Sequence, residues 1–281
     1  MNPAMRTVIL FHGDCPDGFG GAYAAWKKFG DTAEYMPVKH GRPVPEGLSG
    51  ARLYFIDFIY HQEDMDRLQK EAASLVVLDH HEGVKDVVES MEHHIYDASR
   101  SGAVIAWEYF HPGTPVPTLL TYVQEGDLYR FALPNSRELL ASIYTQPFTF
   151  EAWDRIAGEI EDPEIRAKMI ERGGIYRAHS DSIIAELAED AKLVRFEGYE
   201  CYFAATISIF SSDLGNRLAR KKAPLALCVQ ARPDGLRVSL RGDGSVDVAK
   251  IAQKYGGNGH PNAAAFSLPW GSAIPWEQLD G

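Results

Sequence analysis

Three apolar runs in this chain of 281 residues end in side chains that can bind metal ions or move protons. Thr7-Val8-Ile9-Leu10-Phe11 runs into His12-Gly13-Asp14-Cys15-Pro16-Asp17-Gly18. Arg52-Leu53-Tyr54-Phe55-Ile56 ends in Asp57, and Leu75-Val76-Val77-Leu78 ends in Asp79-His80-His81. A further carboxylate, Asp127, interrupts an apolar stretch within Gln124-Glu125-Gly126-Asp127-Leu128. Carboxylates brought together repel one another unless cations neutralise them. Mixed Asp and His donors suit Mn²⁺ or a comparable divalent ion better than Ca²⁺. The donors are too many for one catalytic ion with open positions, but they suit two ions sharing a bridging carboxylate. Two ions about 3.5–4 Å apart are a recurring device for hydrolysing phosphate esters.

Each residue also has a plainer reading. A single Asp at a strand end is usually a cap or turn residue. An isolated His is usually structural, and His40, His61, His93, His94, His111 and His179 are set aside on that ground. Three strand ends loaded in the same way are harder to explain so, and Asp79-His80-His81 is the sharpest of them.

The elements that must hold these residues follow from the pattern. Short apolar runs closed by turn residues read as buried parallel strands. Helical spacing between them, at Phe19–Phe29 and Gln62–Ala73, implies right-handed βαβ crossovers. Ligands of such a sheet bind outside the carboxyl ends of its strands. Further helices are expected at Ser99–Phe110, capped by Ser99 or Ser101, and at Thr118–Tyr129. From Asn135 to Asp190 the chain reads as helical, broken at Pro147 and Pro163, with a joint at Gly173-Gly174 and a long helix from Ile175 to Ala191.

After Lys192 the composition shifts. A hairpin is expected from Leu193–Phe196 and Tyr199–Thr206, then a helix at Ser212–Arg220. Strands follow at Leu225–Gln230 and Leu236–Arg241, and a short helix at Asp247–Tyr255. The expected fold is α/β: a domain over 1–178 with a mostly parallel sheet, a linker helix over 179–193, and a smaller α/β domain over 194–281. In that last part Gly256-Gly257-Asn258-Gly259-His260 reads as a turn whose backbone N–H groups approach an anion, with His260 as an added donor. Arg241, at the end of a strand, can grip a phosphate with two parallel hydrogen bonds.

Charge and cysteine content narrow the function. The net charge of −11 divides into −14 over residues 1–190 and +3 over 191–281, as for two modules with different tasks. The acidic balance argues against long duplex nucleic acid as the main partner. The three cysteines, Cys15, Cys201 and Cys228, are widely spaced, with no CxxC pair. A disulfide framework and a structural zinc site lack support, and a reducing compartment fits. The first residues are too short an apolar run for a signal peptide or a membrane span, so the cytoplasm is the default location.

Together these motifs resemble the DHH phosphoesterase superfamily, in the branch with a C-terminal DHHA1 domain. The resemblance covers nearly the whole chain: His12 to Gly18, Asp57, Asp79-His80-His81, Asp127, and Gly256-Gly257-Asn258-Gly259-His260-Pro261-Asn262-Ala263-Ala264 occur in the family's order. It implies that His12 and Asp14 hold one Mn²⁺, that Asp17, His80 and Asp127 hold a second, and that Asp57 bridges them. Mg²⁺ or Co²⁺ are the expected substitutes. It implies that Asp79 orients His80, that His81 contacts the scissile phosphate, and that Arg241, Gly257, Asn258, Gly259 and His260 grip the substrate. A metal-activated hydroxide would attack phosphorus in line. The sequence departs from the family pattern in two places. Two residues separate Asp14 from Asp17 where relatives commonly have one, and Asn258 and Ala265 stand at positions commonly held by glycine.

The resulting expectation is a Mn²⁺-dependent phosphodiesterase acting on short oligonucleotides or small phosphorylated nucleotides and releasing nucleoside monophosphates. The alternatives are an exopolyphosphatase, a 3′-phosphoadenosine 5′-phosphate phosphatase, or a non-catalytic nucleotide sensor. No membrane partner is expected, and a homodimer is compatible with the fold.

Overall fold

The computed structural model describes residues 5–279. The chain divides into two compact units, Met1–Arg177 and Ala178–Gly281. No helix among the described residues is long and apolar enough to cross a membrane.

The first unit is built on five parallel strands. They are β1 (Thr7–His12), β2 (Ala33–Val38), β3 (Arg52–Ile56), β4 (Ser74–Asp79) and β5 (His94–Tyr96), in the order β2-β1-β3-β4-β5. Side chains alternate between the two faces, and both faces are covered. Ile9, Phe11, Tyr54, Ile56 and Leu78 join one buried cluster, which contains residues of α1 (Pro16–Phe29), α4 (Gly102–Phe110), α5 (Thr118–Asp127), α6 (Ser136–Ile143) and α7 (Phe150–Glu159). Val8, Leu10, Leu53, Phe55 and Val77 join the other, with Met65 and Leu68 of α2 (Gln62–Glu71) and Val88 of α3 (Lys85–Glu89).

Register decides what stands at the carboxyl edge. Phe11 pairs with Ile56 and Ile56 with Leu78. The next residue on each strand, His12, Asp57 and Asp79, therefore stands at one level of the sheet. Two strands of this unit were not expected from the sequence. β2 contains Pro37, which an edge strand tolerates because its outer N–H groups need no partner. β5 is only three residues long and occupies the other edge.

The expected joint at Gly173-Gly174 does not exist. α8 runs unbroken from Pro163 to Glu189, with proline at its start, where the missing N–H costs nothing. Gly173 serves packing instead: a Cβ there would lie 1.7 Å from the carbonyl oxygen of Glu138 in α6. The long helix is thus longer than the expected linker and begins earlier.

The second unit is a seven-stranded mixed sheet. Its strands are β6 (Lys192–Phe196), β7 (Tyr199–Ala205), β8 (Leu225–Arg232), β9 (Gly235–Gly242), β10 (Asn258–His260), β11 (Ala263–Pro269) and β12 (Trp276–Gln278), in the order β10-β11-β9-β8-β7-β6-β12. Only β7 and β8 pair in parallel, joined through α9 (Ser211–Lys221). One face packs Val238, Leu240 and Phe266 against Val248 and Ile251 of α10 (Val248–Gln253). The other packs Ala226 and Cys228 against Leu214 and Leu218 of α9. Asp247 caps α10 by accepting from the N–H groups of Ala249 and Lys250.

Candidate metal centre

At the carboxyl edge of the parallel sheet, two clusters of donor atoms meet at Asp57. Its carboxylate is 1 % exposed, and its backbone adopts a left-handed φ of 57° directly after β3. Oδ1 lies 3.2 Å from His80 Nε2, and Oδ2 lies 3.3 Å from His12 Nδ1. On the first side, Asp17, His80 and Asp127 bring ligand atoms within 4.8 Å of one another. His80 Nε2 stands 3.7 Å from Asp17 Oδ2 and 3.4 Å from Asp127 Oδ2. On the second side, His12, Cys15 and Asp57 do the same.

Asp17 shows why the local sequence is what it is. Pro16 starts α1, which turns the next residue back under the strand edge. The Asp17 carboxylate accepts from the N–H groups of Gly102 (2.6 Å) and Ala103 (3.1 Å), two otherwise unpaired donors at the start of α4. Ser101 caps the same helix at Val104. Position 102 has no room for a side chain, because a Cβ would lie 2.7 Å from Asp57 Cβ and 3.0 Å from Asp17 Oδ2. The cap and the ligand readings of Asp17 are compatible, since each carboxylate oxygen has two lone pairs.

The electrostatics describe a site short of positive charge. Burial, then the charges of Asp127 and Asp57, push the Asp17 carboxyl well above its ordinary range. Burial and Asp57 raise Asp127 as well, against the pull of His80. Burial would also raise Asp57, but the facing imidazoles of His12 and His80 outweigh it and hold that carboxyl low. His80 is raised by Asp57 and Asp127 in spite of its burial. Asp57 Oδ2 and Asp127 Oδ2 are buried without a hydrogen-bond partner. Buried carboxylate oxygens left in this state are costly unless a cation meets them. The donor set therefore fits divalent metal ions: carboxylates and imidazoles on two sides of a shared Asp.

Two expected roles are corrected. Asp14 does not join the cluster. The extra residue before Asp17 puts Asp14 in a left-handed turn with φ of 60°, and its exposed carboxylate pairs with Lys39. The neighbouring Cys15 occupies the place instead. Asp79 does not act on the His80 ring by the expected contact. Its Oδ1 accepts from the backbone N–H groups of His80 (2.6 Å) and His81 (2.8 Å) and lies 2.9 Å from His81 Nδ1. It orients His81. Burial lowers the pKa of that ring, but the Asp79 and Asp57 charges raise it to about 10.

In the second unit, Arg241 of β9 pairs with Ala263 of β11, and Ala263 pairs with His260 of β10. Directly opposed residues share a face of a sheet. Arg241 and His260 therefore stand on one face with only a methyl side chain between them. Arg241 Nη2 donates to Ser212 Oγ at the start of α9 (2.7 Å), and its side-chain stem occupies the space that Gly215 leaves open. The glycine-rich stretch departs from expectation. The N–H groups of Gly256 and Gly257 donate to Gln253 and Ala252 carbonyls, and that of Gly259 donates to Asn258 Oδ1. They are not free for an anion. A Cβ on Gly257 would lie 2.3 Å from the Ala265 carbonyl oxygen, and one on Gly259 would lie 2.5 Å from that of Ala263. These glycines let the β10–β11 hairpin close. Gly257, Asn258 and Gly259 thus build the edge that presents His260 rather than an amide cradle.

Sequence reasoning missed Cys15 and the Gly102–Ala103 amide pair. Cys15 had a signal, as the only residue between Asp14 and the proline that starts α1. The amide pair had none beyond the Ser101-Gly102 helix start.

Residues 202–279 match the family model of the DHHA1 domain. Over 99 % of its length the chain is 28 % identical to the uncharacterized protein R106 of Acanthamoeba polyphaga mimivirus, covering 72 % of that protein. Its fold is similar to the DHH domain of a protein described as a member of a family of ribosomal proteins. The TM-score is 0.62 at 14 % identity, over 93 % of this chain and 82 % of that one. It is also similar to an exopolyphosphatase-related protein of Bacteroides fragilis, with a TM-score of 0.52 at 13 % identity, over 97 % and 89 % of the two chains.

Proposed function

We propose that the chain, which matches the DHHA1 domain over residues 202–279 and has a fold similar to a DHH domain, is a metal-dependent phosphoesterase of the DHH superfamily acting on short oligonucleotides. It would hydrolyse phosphodiester bonds and release nucleoside monophosphates. The observation that carries this reading is the pair of buried, unpartnered carboxylate oxygens, Asp57 Oδ2 and Asp127 Oδ2, within a His/Asp cluster at the carboxyl edge of a parallel sheet.

When bound, two divalent ions supply a strong nucleophile from water at neutral pH and offset charge on the phosphoryl oxygens. Asp57 would be shared between the ions, with His12 on one side and Asp17, His80 and Asp127 on the other. The chain's own groups do the rest. Gly102 and Ala103 hold the Asp17 carboxylate in place through their N–H groups. Asp79 fixes the His81 ring and favours its protonated form. The His81 imidazolium is then a charge-assisted donor for a phosphoryl oxygen. Arg241 and His260, on one face of the second sheet, would supply hydrogen-bond donors for a terminal phosphate. The mildly basic second part and the acidic first part favour a small anionic ligand over a long duplex.

The test is a Mn²⁺-supplemented assay of the full chain on di- to pentanucleotide RNA, phosphoadenosine phosphate, cyclic dinucleotides, polyphosphate and pyrophosphate. Mononucleotide release from the short RNAs, lost on chelation and restored by Mn²⁺, is the expected result. Dinucleotide binding without product under Mn²⁺, Co²⁺ or Zn²⁺ would make the protein a nucleotide-binding module instead.

A further inference from the structure

The motif after β1 has one residue more than the family pattern, and the structure shows where that residue goes. Asp14 turns outward to Lys39. Cys15, the residue before α1, has extended backbone (φ −120°, ψ 129°) and makes no capping hydrogen bond. Its Sγ lies within 4.8 Å of ligand atoms of both His12 and Asp57. The Asp57 carboxylate carries Oδ2, which is buried, makes no hydrogen bond and lies 3.3 Å from His12 Nδ1. A thiol, an imidazole and a buried carboxylate thus bring ligand atoms within 4.8 Å of one another.

We propose that Cys15 is a metal ligand, completing a His12–Cys15–Asp57 site with a thiolate where the sequence resemblance led to the expectation of the Asp14 carboxylate. This rests on the metal-centre reading above and changes its consequence. As the sulfur–metal bond forms, the thiol proton leaves to solvent. A thiolate in the donor set selects softer ions, so this half of the centre prefers Zn²⁺ or Co²⁺ to Mn²⁺ or Mg²⁺. The Asp17–His80–Asp127 half, with no sulfur, keeps the preference for harder ions. The centre is then chemically asymmetric and suits two different metals. Cys201 and Cys228 are buried in the second unit and lie outside both metal-ligand clusters.

The test is Co²⁺ titration of the full-length protein, followed by absorption and by metal analysis of the desalted product. The expected result is a near-ultraviolet thiolate-to-cobalt charge-transfer band together with visible d–d bands. Cys15→Ser should lose the charge-transfer band and keep d–d absorption, and Asp14→Asn should keep both. Visible bands with no band dependent on Cys15 overturn the thiolate ligand and leave the metal centre standing. No bound Co²⁺ of any kind overturns the metal centre and this proposal with it. A measurement on the unmodified protein guards against a variant that fails to fold. Zn²⁺ should protect Cys15 from alkylation, read by peptide mapping, and equal labelling with and without Zn²⁺ overturns the proposal.

Discussion

The two units deal with charge in opposite ways. Among the described residues, Asp17, Asp57, Asp79, His80 and Glu125 are buried in the first unit, whereas the only buried polar residue of the second is Ser211. Burying a charge costs stability unless it is paired. Glu125 meets that cost with the N–H groups of Ala132 and Leu133. The others crowd one sheet edge, where the Oδ2 atoms of Asp57, Asp79 and Asp127 are buried without a hydrogen bond. In the second unit Arg241 and His260 are half-buried, Arg241 is bound to Ser212, and a conventional apolar core lies beneath. One unit crowds like charges at a sheet edge, where a cation would relieve them. The other sets Arg241 and His260 over an apolar core, an arrangement suited to an anion.

The comparison breaks most easily at Asp57. Asp57→Asn should lower turnover about a thousandfold or more, the several kcal/mol expected of a metal site, while far-ultraviolet circular dichroism stays unchanged. Metal analysis should show both ions depleted. If metal content stays intact, Asp57 is not the shared ligand. Arg241→Ala or His260→Ala should raise KM about 10–100-fold, the equivalent of a charged hydrogen bond of about 1.5–3 kcal/mol, with bound metal unchanged. A fall in metal content would erase the division of labour.

Packing provides the next contrast. Gly173→Ala should cost about 1–3 kcal/mol in urea unfolding, because its methyl group meets the Glu138 carbonyl. Gly158→Ala in α7, where a Cβ meets nothing within 4 Å, should be neutral or slightly stabilising. The smallest effect belongs to Glu197. Hydrogen bonds from Lys254 and Tyr255 hold its carboxyl below the ordinary 4.5. A lowered folded-state pKa gives stability that is present above pH 4.5 and lost as pH falls below it. Glu197→Gln should therefore lower Tm slightly at pH 7, by the equivalent of about 1 kcal/mol or less, and have no effect near pH 3.

Much of this arrangement was legible because periodicity and chemistry coincided. β1, β3 and β4 are unmixed apolar runs, and each leads directly into an ionisable residue. Parallel pairing then makes their meeting point a matter of register. β2 was hidden by Pro37 and by its half-exposed pattern, and β11 opens with three alanines, which carry no strand signal. α8 was read as interrupted because Gly173-Gly174 lowers helix propensity, yet contact with α6 decides there. The choice between Asp14 and Cys15 depended on one residue of loop length and on a left-handed turn, and neither has a compositional signature. The glycines near His260 were read as an anion loop because the steric neighbours that require them lie on another strand, β11.

Gly102 turns the backbone into a reporter on the centre. Its N–H and that of Ala103 end on the Asp17 carboxylate, so their bond strength follows the electron density of those oxygens. A cation bound through the remaining lone pairs draws electron density from the same oxygens and weakens both hydrogen bonds. Occupancy of the site should therefore be visible in the NMR shifts of two main-chain protons, and in their exchange with deuterium, with no label introduced. Warming that loosens the first turn of α4 releases the same carboxylate. Fraying of this helix end and loss of metal should thus occur as a single thermal event.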